Sequence, residues 1–271
     1  MAVRTPILNV MVGAAEKASR MIKRDFGEVE NLQVSRKGTS DFVSAADTRT
    51  EKTLQYELSK ARPGFGFIME ESGEVKGEDP NRTWIIDPID GTTNFIHGIP
   101  HFAISIALME HGELVAGLVY NPIFEELFVA EKGQGATCNN RRLRVASREN
   151  LSDCVLATGI PHLGRGDHAK YMPQLTAAMA ATAGIRRFGS ASLDLAYVAA
   201  GRVDGFWETG LQPWDVAAGI LLVREAGGFI TEIDGKGDGL SGESVLATNP
   251  RLHRPLSHLL TGKKTERLRA R

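Results

Sequence analysis

Between His101 and Lys132 three apolar runs follow one another with almost no chain left between them. HFAISIALME is joined through His111-Gly112 to ELVAGLVYNP, and EELFVAEK follows just after Pro122. Parallel neighbours need a crossover of about a dozen residues or more, so links this short oblige the runs to pair antiparallel. Phe102, Ile104, Ile106 and Leu108 alternate with smaller residues, as in a strand with two unequal faces. The Asn139-Asn140 pair that follows reads as a further hairpin turn.

The flanks of this sheet read as helices and strands. Ile7, Leu8, Met11, Ala14, Ala15, Ala18, Met21 and Ile22 recur at helical spacing. ILNVMVGAA has the apolarity of a leader peptide, but Asn9 interrupts it and Glu16, Lys17, Arg20, Lys23 and Arg24 follow. Asp47 to Ala61 reads as a second helix, stopped by Pro63 and Gly64. Phe65 to Met69 and Thr83 to Ile86 read as strands, with Glu74 to Arg82 a polar loop between them. Near Val145 the character changes to alternating strand and helix, an α/β pattern. Strands are expected at 155–158, 186–188, 203–207, 229–233 and 245–247, and helices at 167–183, 191–200, 216–226 and 251–260. The expected division is 1–145, an α+β subdomain, and 146–271, an α/β subdomain. The chain of 271 residues carries a net charge of −1, so no whole-molecule field points to nucleic acid or membrane. No run approaches the roughly 20 apolar residues of a membrane span. Cys138 and Cys154 form neither a disulfide framework nor a CxxC site, and a reduced, cytoplasmic setting is expected. The basic tail with Lys263, Lys264, Arg267, Arg269 and Arg271 reads as a solvated end.

The chemistry centres on WIIDPIDGTTNF, residues 84–95. A buried strand would leave Asp87 at its carboxyl end, where open α/β sheets place ligands. Pro88 stiffens the exit, and a turn is expected to bring Asp90 back beside Asp87. Gly91, Thr92 and Thr93 would open a short helix whose amides attract an anion. Asp-Pro and Asp-Gly are also ordinary turn dipeptides, and Asp90 would serve equally as a helix cap. Two further stretches place acids in comparable positions. FIMEES ends an apolar strand at Glu70, and LQPWDVAAG sets Asp215 in the first turn of a helix opened by Pro213. Taken singly, these acids read as a solvated pair and as dipole complementation.

WIIDPIDGTTNF and PWDVAAGILLVREAGG resemble the two signature motifs of the inositol monophosphatase family, the Mg²⁺-dependent, lithium-sensitive sugar phosphatases. The similarity extends through KGTSDFVSAAD, FIMEES, GQGATCNNRRLR and RRFGSASLDLAYVAAGRVDGFWETGLQPWD, the last similar to the bacterial SuhB-type members. The resemblance implies a layered αβαβα sandwich with a metal site between its halves. It implies Glu70, Asp87, the Ile89 carbonyl, Asp90 and Asp215 as metal ligands, and Thr92 with Asp47 as the pair orienting the attacking water. It also implies that Gly91, Gly189, Ser190 and Ala191 line the substrate site and that Glu208 holds a sugar hydroxyl. Which of Arg36 and Lys37 serves the mobile loop is left open by the doubled basic residues. A homodimer is expected, and the SuhB-type resemblance adds a role in transcription antitermination and ribosomal RNA synthesis with Nus factors and RNA polymerase.

Two carboxylates about 4 Å apart repel by about 4 kcal/mol at an effective dielectric of about 20. Gathered acids therefore either protonate or take up cations. Oxygen-only ligands favour Mg²⁺, Mn²⁺ or Ca²⁺ over zinc, and sharing the site with a phosphate favours Mg²⁺, two or three ions of it. The expected activity is hydrolysis of inositol monophosphate by metal-activated water. The alternatives are another small ester, a nucleotide 3′-phosphate or fructose bisphosphate, and a mainly protein-binding regulatory role. Ser190 and Ser192 lack a GxSxG context, and Gly133-Gln134-Gly135 lacks the rest of a phosphate loop. His97 and His101 read as residues satisfying local hydrogen bonds.

Overall fold

The computed structural model describes residues 4–27, 34–37, 41–162 and 166–263, with the backbone alone at 34–37 and 41–44. The Arg36 and Lys37 side chains and the tail beyond Lys263 lie outside the described residues. Seven helices and fifteen strands are found among the described residues.

Strands β3 (Phe65–Met69), β4 (Gly73–Val75), β5 (Asp79–Asp90), β6 (Ala103–Glu110), β7 (Glu113–Asn121), β8 (Glu126–Glu131), β9 (Gly135–Cys138) and β10 (Arg141–Arg142) form one sheet, ordered β10-β9-β8-β7-β6-β5-β3-β4. The short links do give antiparallel pairs, β6 with β7 and β7 with β8. Asn139 and Asn140 turn the β9–β10 hairpin with φ of 46° and 64°. The second sheet, β11 (Val155–Thr158), β12 (Gly184–Arg186), β13 (Gly205–Thr209), β14 (Phe229–Thr231) and β15 (Ser244–Thr248), is ordered β12-β11-β13-β15-β14. The strands β1 (Val34–Lys37) and β2 (Asp41–Ser44) pair only with each other.

Side-chain alternation stacks these sheets into five layers. Ile86, Ile104, Ile106 and Leu118 face the helices α1 (Pro6–Phe26) and α2 (Ala45–Ala61), whose Met11, Ala15, Ala18, Ile22, Leu54 and Leu58 are buried. Ile85, Ala103, Ala107 and Val119 face the other way, onto α5 (Ala191–Ala199) and α6 (Pro213–Glu225). The same two helices cover one face of the second sheet, through Ala157, Phe206, Val245 and Ala247. Its opposite face, through Leu156, Trp207 and Leu246, packs on α4 (His168–Ala181) and α7 (Pro250–Leu260). The order is thus α, β, α, β, α. A strand buried on both faces favours apolar residues at successive positions, which is why Trp84–Ile86 of β5 read as an unbroken run before Asp87.

Three local expectations need correction. The polar stretch 74–82 is no simple loop: β4 pairs with β3, and β5 begins at Asp79. The exposed residues of an edge strand carry no apolar alternation to betray them. The strand expected at 186–188 falls at Gly184–Arg186 instead. Third, Asp87-Pro88-Ile89-Asp90 does not leave the sheet by a turn. Pairing with β6 passes from Asp87↔Ser105 to Asp90↔Ala103, three steps against two, which is a β-bulge.

Candidate metal-binding active site

The bulge explains how the two aspartates meet. Residues three apart on a regular strand point to opposite faces. One extra residue restores the same side, and Asp87 and Asp90 converge with Asp215 so that one oxygen from each lies within 4.8 Å of the others. Asp87 and Asp90 are buried and Asp215 is half-buried. The Asp87 Oδ1 accepts the Ile89 amide at 2.9 Å, holding the bulge closed.

Asp215 arrives from the other sheet's side of the molecule. Pro213 starts α6, and Asp215 in its first turn accepts the Gln212 amide at 2.7 Å. Ser105, the strand partner of Asp87, donates to the Trp214 carbonyl at 3.2 Å and so ties α6 to the bulge. Dipole complementation and site formation are both served by one side chain.

Asp90 is held from α5. Its Oδ2 accepts the Ser190 hydroxyl at 2.6 Å, the Ser192 amide at 2.7 Å and the Ser192 hydroxyl at 2.5 Å. Ser190 caps that helix. Gly91 follows with φ 99°, and a Cβ there would meet the Gly189 carbonyl at 3.2 Å. Only glycine makes both the left-handed turn and the close approach without strain. Thr92 opens the short helix α3 (Thr92–Ile96), and its hydroxyl donates to the Ile89 carbonyl at 3.0 Å.

Glu70 follows β3, the parallel neighbour of β5, with its amide on the Ile86 carbonyl at 3.3 Å. Burial pushes its carboxyl well above the ordinary range, and the negative charges of Asp215, Asp47 and Glu71 push the same way. Asp87 is raised well above its usual value by burial and by Glu70, Asp90, Asp215 and Asp47. Asp90 is raised by burial too, opposed by its serine hydrogen bonds. Glu70, Asp87, Asp90, Asp215 and Asp47 therefore share one field. A donor set made only of oxygens and repelling itself in this way fits a hard divalent cation.

Glu208, the penultimate residue of β13, sets its carboxylate over Gly159, beside the buried Asp194 of α5. Burial raises Asp194 well above the usual range, Glu208 and Asp90 add to that, and the Arg187 guanidinium opposes it. His101 takes no part in this cluster. It stacks on Phe188 at 5.2 Å and meets Tyr197 edge-on, and burial lowers it to about 4.

Several supporting residues escaped the sequence reading. Ser192 drew notice only as a nucleophile, although two serines two apart at a helix start are a capping signal. Glu51 of α2 accepts the Glu71 amide at 2.8 Å and the Ser72 hydroxyl at 2.5 Å, fixing the turn beyond Glu70. Asn94 donates to the carbonyls of His101 at 2.7 Å and Phe188 at 2.8 Å, strapping α3 to the segment before Gly189. No local pattern marks these two, because their partners lie on other segments of the chain.

A five-layer αβαβα sandwich with carboxylates gathered where helices of the middle layer meet a bulged strand defines the sugar-phosphatase class of fold. The chain belongs to the inositol monophosphatase family, which matches residues 3–265. It is 59% identical over 253 residues to an inositol-1-monophosphatase of Mesorhizobium japonicum, covering 93% of this chain and 95% of that one. It is 44% identical over 247 residues to the Nus factor SuhB of Escherichia coli, covering 91% and 92%. The crystal structure of the extragenic suppressor protein suhB of Bartonella henselae superposes with a TM-score of 0.92 at 57% identity, covering 94% of this chain and 98% of that one. The protein is accordingly a phosphatase of this family. Among the described residues no helix is long and apolar enough to cross a membrane.

Proposed function

We propose that the protein is a Mg²⁺-dependent phosphomonoesterase that releases phosphate from inositol 1-phosphate or a closely related polyol phosphate. The observation that carries this reading is the convergence of Asp87, Asp90 and Asp215 within 4.8 Å, supported by the inositol-1-monophosphatase relative at 59% identity. Asp87, Asp90, Asp215, Glu70 and the Ile89 carbonyl would hold the ions, two or three in number. Bound there, divalent cations supply Lewis acidity to the phosphoryl oxygens, the leaving oxygen and the attacking water.

The chain's own groups do the positioning. Asp87 and Asp90 are fixed by the bulge and by the two serines of α5, so little reorganisation accompanies binding. Thr92, set at the helix start, orients the attacking water together with Asp47, and its own hydroxyl does not become phosphorylated. Gly91 and the segment Gly189, Ser190 and Ala191 border the phosphate ester, where the close approach of Gly91 to Gly189 leaves room. Glu208 accepts a hydrogen bond from a ring hydroxyl, which favours a polyol over a nucleotide 3′-phosphate or fructose bisphosphate.

Loss of even a ligand's hydrogen-bond partner costs about 10–100-fold. Asp90→Asn, which alters a ligand directly, is therefore expected to lower turnover more than about 100-fold with an unchanged circular-dichroism spectrum. Retention of most of the activity would overturn the assignment.

The relative named Nus factor SuhB supports a second role, in transcription antitermination with Nus factors and RNA polymerase. That role is separable from catalysis: rescue of a deletion strain by the inactive Asp90→Asn protein would establish it, and failure to rescue would tie the cellular function to hydrolysis. A homodimer is also proposed. Met172 and Met179, two turns apart on one face of α4, are 50% and 57% exposed and offer an apolar surface for a second copy.

A further inference from the structure

The parallel strands β11 and β13 run in register from Leu156↔Gly205 to Thr158↔Trp207, so Gly159 and Glu208 occupy the next rung. A Cβ built on Gly159 would lie 1.8 Å from Oε1, 1.9 Å from Cδ and 2.3 Å from Oε2 of Glu208. The carboxylate of Glu208 therefore occupies the volume that any side chain at 159 would need. Unlike Gly91, Gly159 is not in the left-handed region. An alanine there suits the backbone, and its nearest clash is with the mobile end of one side chain.

We propose that Gly159 is a specificity-determining position, its bare Cα being what seats the Glu208 carboxylate where it receives a hydroxyl of a polyol phosphate. This rests on the reading of Glu208 given above. Asp194 is buried beside Glu208, and the Arg187 guanidinium acts on Asp194. A Glu208 pushed off Gly159 loses its alignment while the carboxylates on β5 and α6 keep theirs. The consequence is selective: the hydroxyl-recognising end of the pocket moves and the phosphate end does not.

Steady-state kinetics of the Mg²⁺-loaded protein with inositol 1-phosphate and with p-nitrophenyl phosphate, which has no ring hydroxyls, separate the two ends. Gly159→Ala is expected to raise KM for inositol 1-phosphate at least tenfold and to change kcat/KM for the aryl ester less than twofold. In a Glu208→Ala background the same substitution is expected to add nothing to KM. Thermal melting reads the contact without catalysis. Gly159→Ala is expected to lower Tm in the presence of Glu208, and in the Glu208→Ala background to leave it level or raise it slightly, as Gly→Ala does at compatible positions. An unchanged KM, equal losses on both esters, or strictly additive effects with Glu208→Ala would overturn the proposal. A wild-type protein that cleaves the aryl ester and not inositol 1-phosphate overturns the substrate reading itself, and the specificity role falls with it.

Discussion

Asp90 is buried, 8% exposed, takes three hydrogen bonds on Oδ2, and offers one oxygen within 4.8 Å of those of Asp87 and Asp215. The Ser190 and Ser192 groups hold the side chain in place beside the other two acids. His101 shows the opposite fate for a polar group near the same loop. Its ring is wedged against Phe188 and Tyr197, with Nε2 buried and finding no hydrogen-bond partner among the described residues. Burial lowers it from 6.5 to about 4, so between those values the unfolded chain binds more protons than the folded one. The contribution of His101 is then full above about pH 6.5 and is lost as pH drops toward 4. The His101→Phe variant is expected to lose less stability over that window than wild type. Urea midpoints at pH 7, 5.5 and 4.5 would show it, and parallel losses would refute the assignment.

The site is built by elements that meet rather than by one that carries it. Bulged β5 offers two acids, the neighbouring strand β3 delivers Glu70, and the N-termini of α5 and α6 bring the serines and Asp215. Asn94 joins two of these parts through a pair of backbone carbonyls. Leaving both carbonyls without a donor is expected to cost about 1–3 kcal/mol. The Asn94→Ala protein should unfold at lower urea and show a raised KM, because the segment Gly189–Ala191 loses its strap. A purely global destabilisation with unaltered KM would show that the strap serves folding alone.

For the molecule as a whole, gathered acids make folding depend on pH and on cations. Glu70, Asp87 and Asp90 are all shifted upward by burial, and Glu70 and Asp87 also by their acidic neighbours. The folded state therefore holds more protons than the unfolded chain above the ordinary carboxylate range, and stability declines as pH rises through that window. A cation binding only the folded state stabilises it by about 2.7 kcal/mol at about 100 times its dissociation constant. Adding Mg²⁺ is expected to raise Tm, and more at pH 8 than at pH 5.5, where protons compete for the same oxygens. Chelation should reverse the shift. A pH-independent or absent response would argue against a cation at these carboxylates.

Much of this was legible along the chain, and for identifiable reasons. Alternation at Phe102–Leu108 and the two-residue link at His111-Gly112 left antiparallel pairing as the available solution. The unbroken apolarity of Trp84–Ile86 marked a strand buried on both faces. Acids at the ends of apolar elements stood out because burial of charge demands a reason. What could not be read locally was how those acids face one another. A regular strand would have sent Asp87 and Asp90 to opposite sides, and the bulge that unites them depends on β6 lying alongside. The serines, Asn94 and Gly159 acquire their roles only from neighbours up to about a hundred residues away, since hydrogen bonds and excluded volume act through space and leave no trace in local spacing.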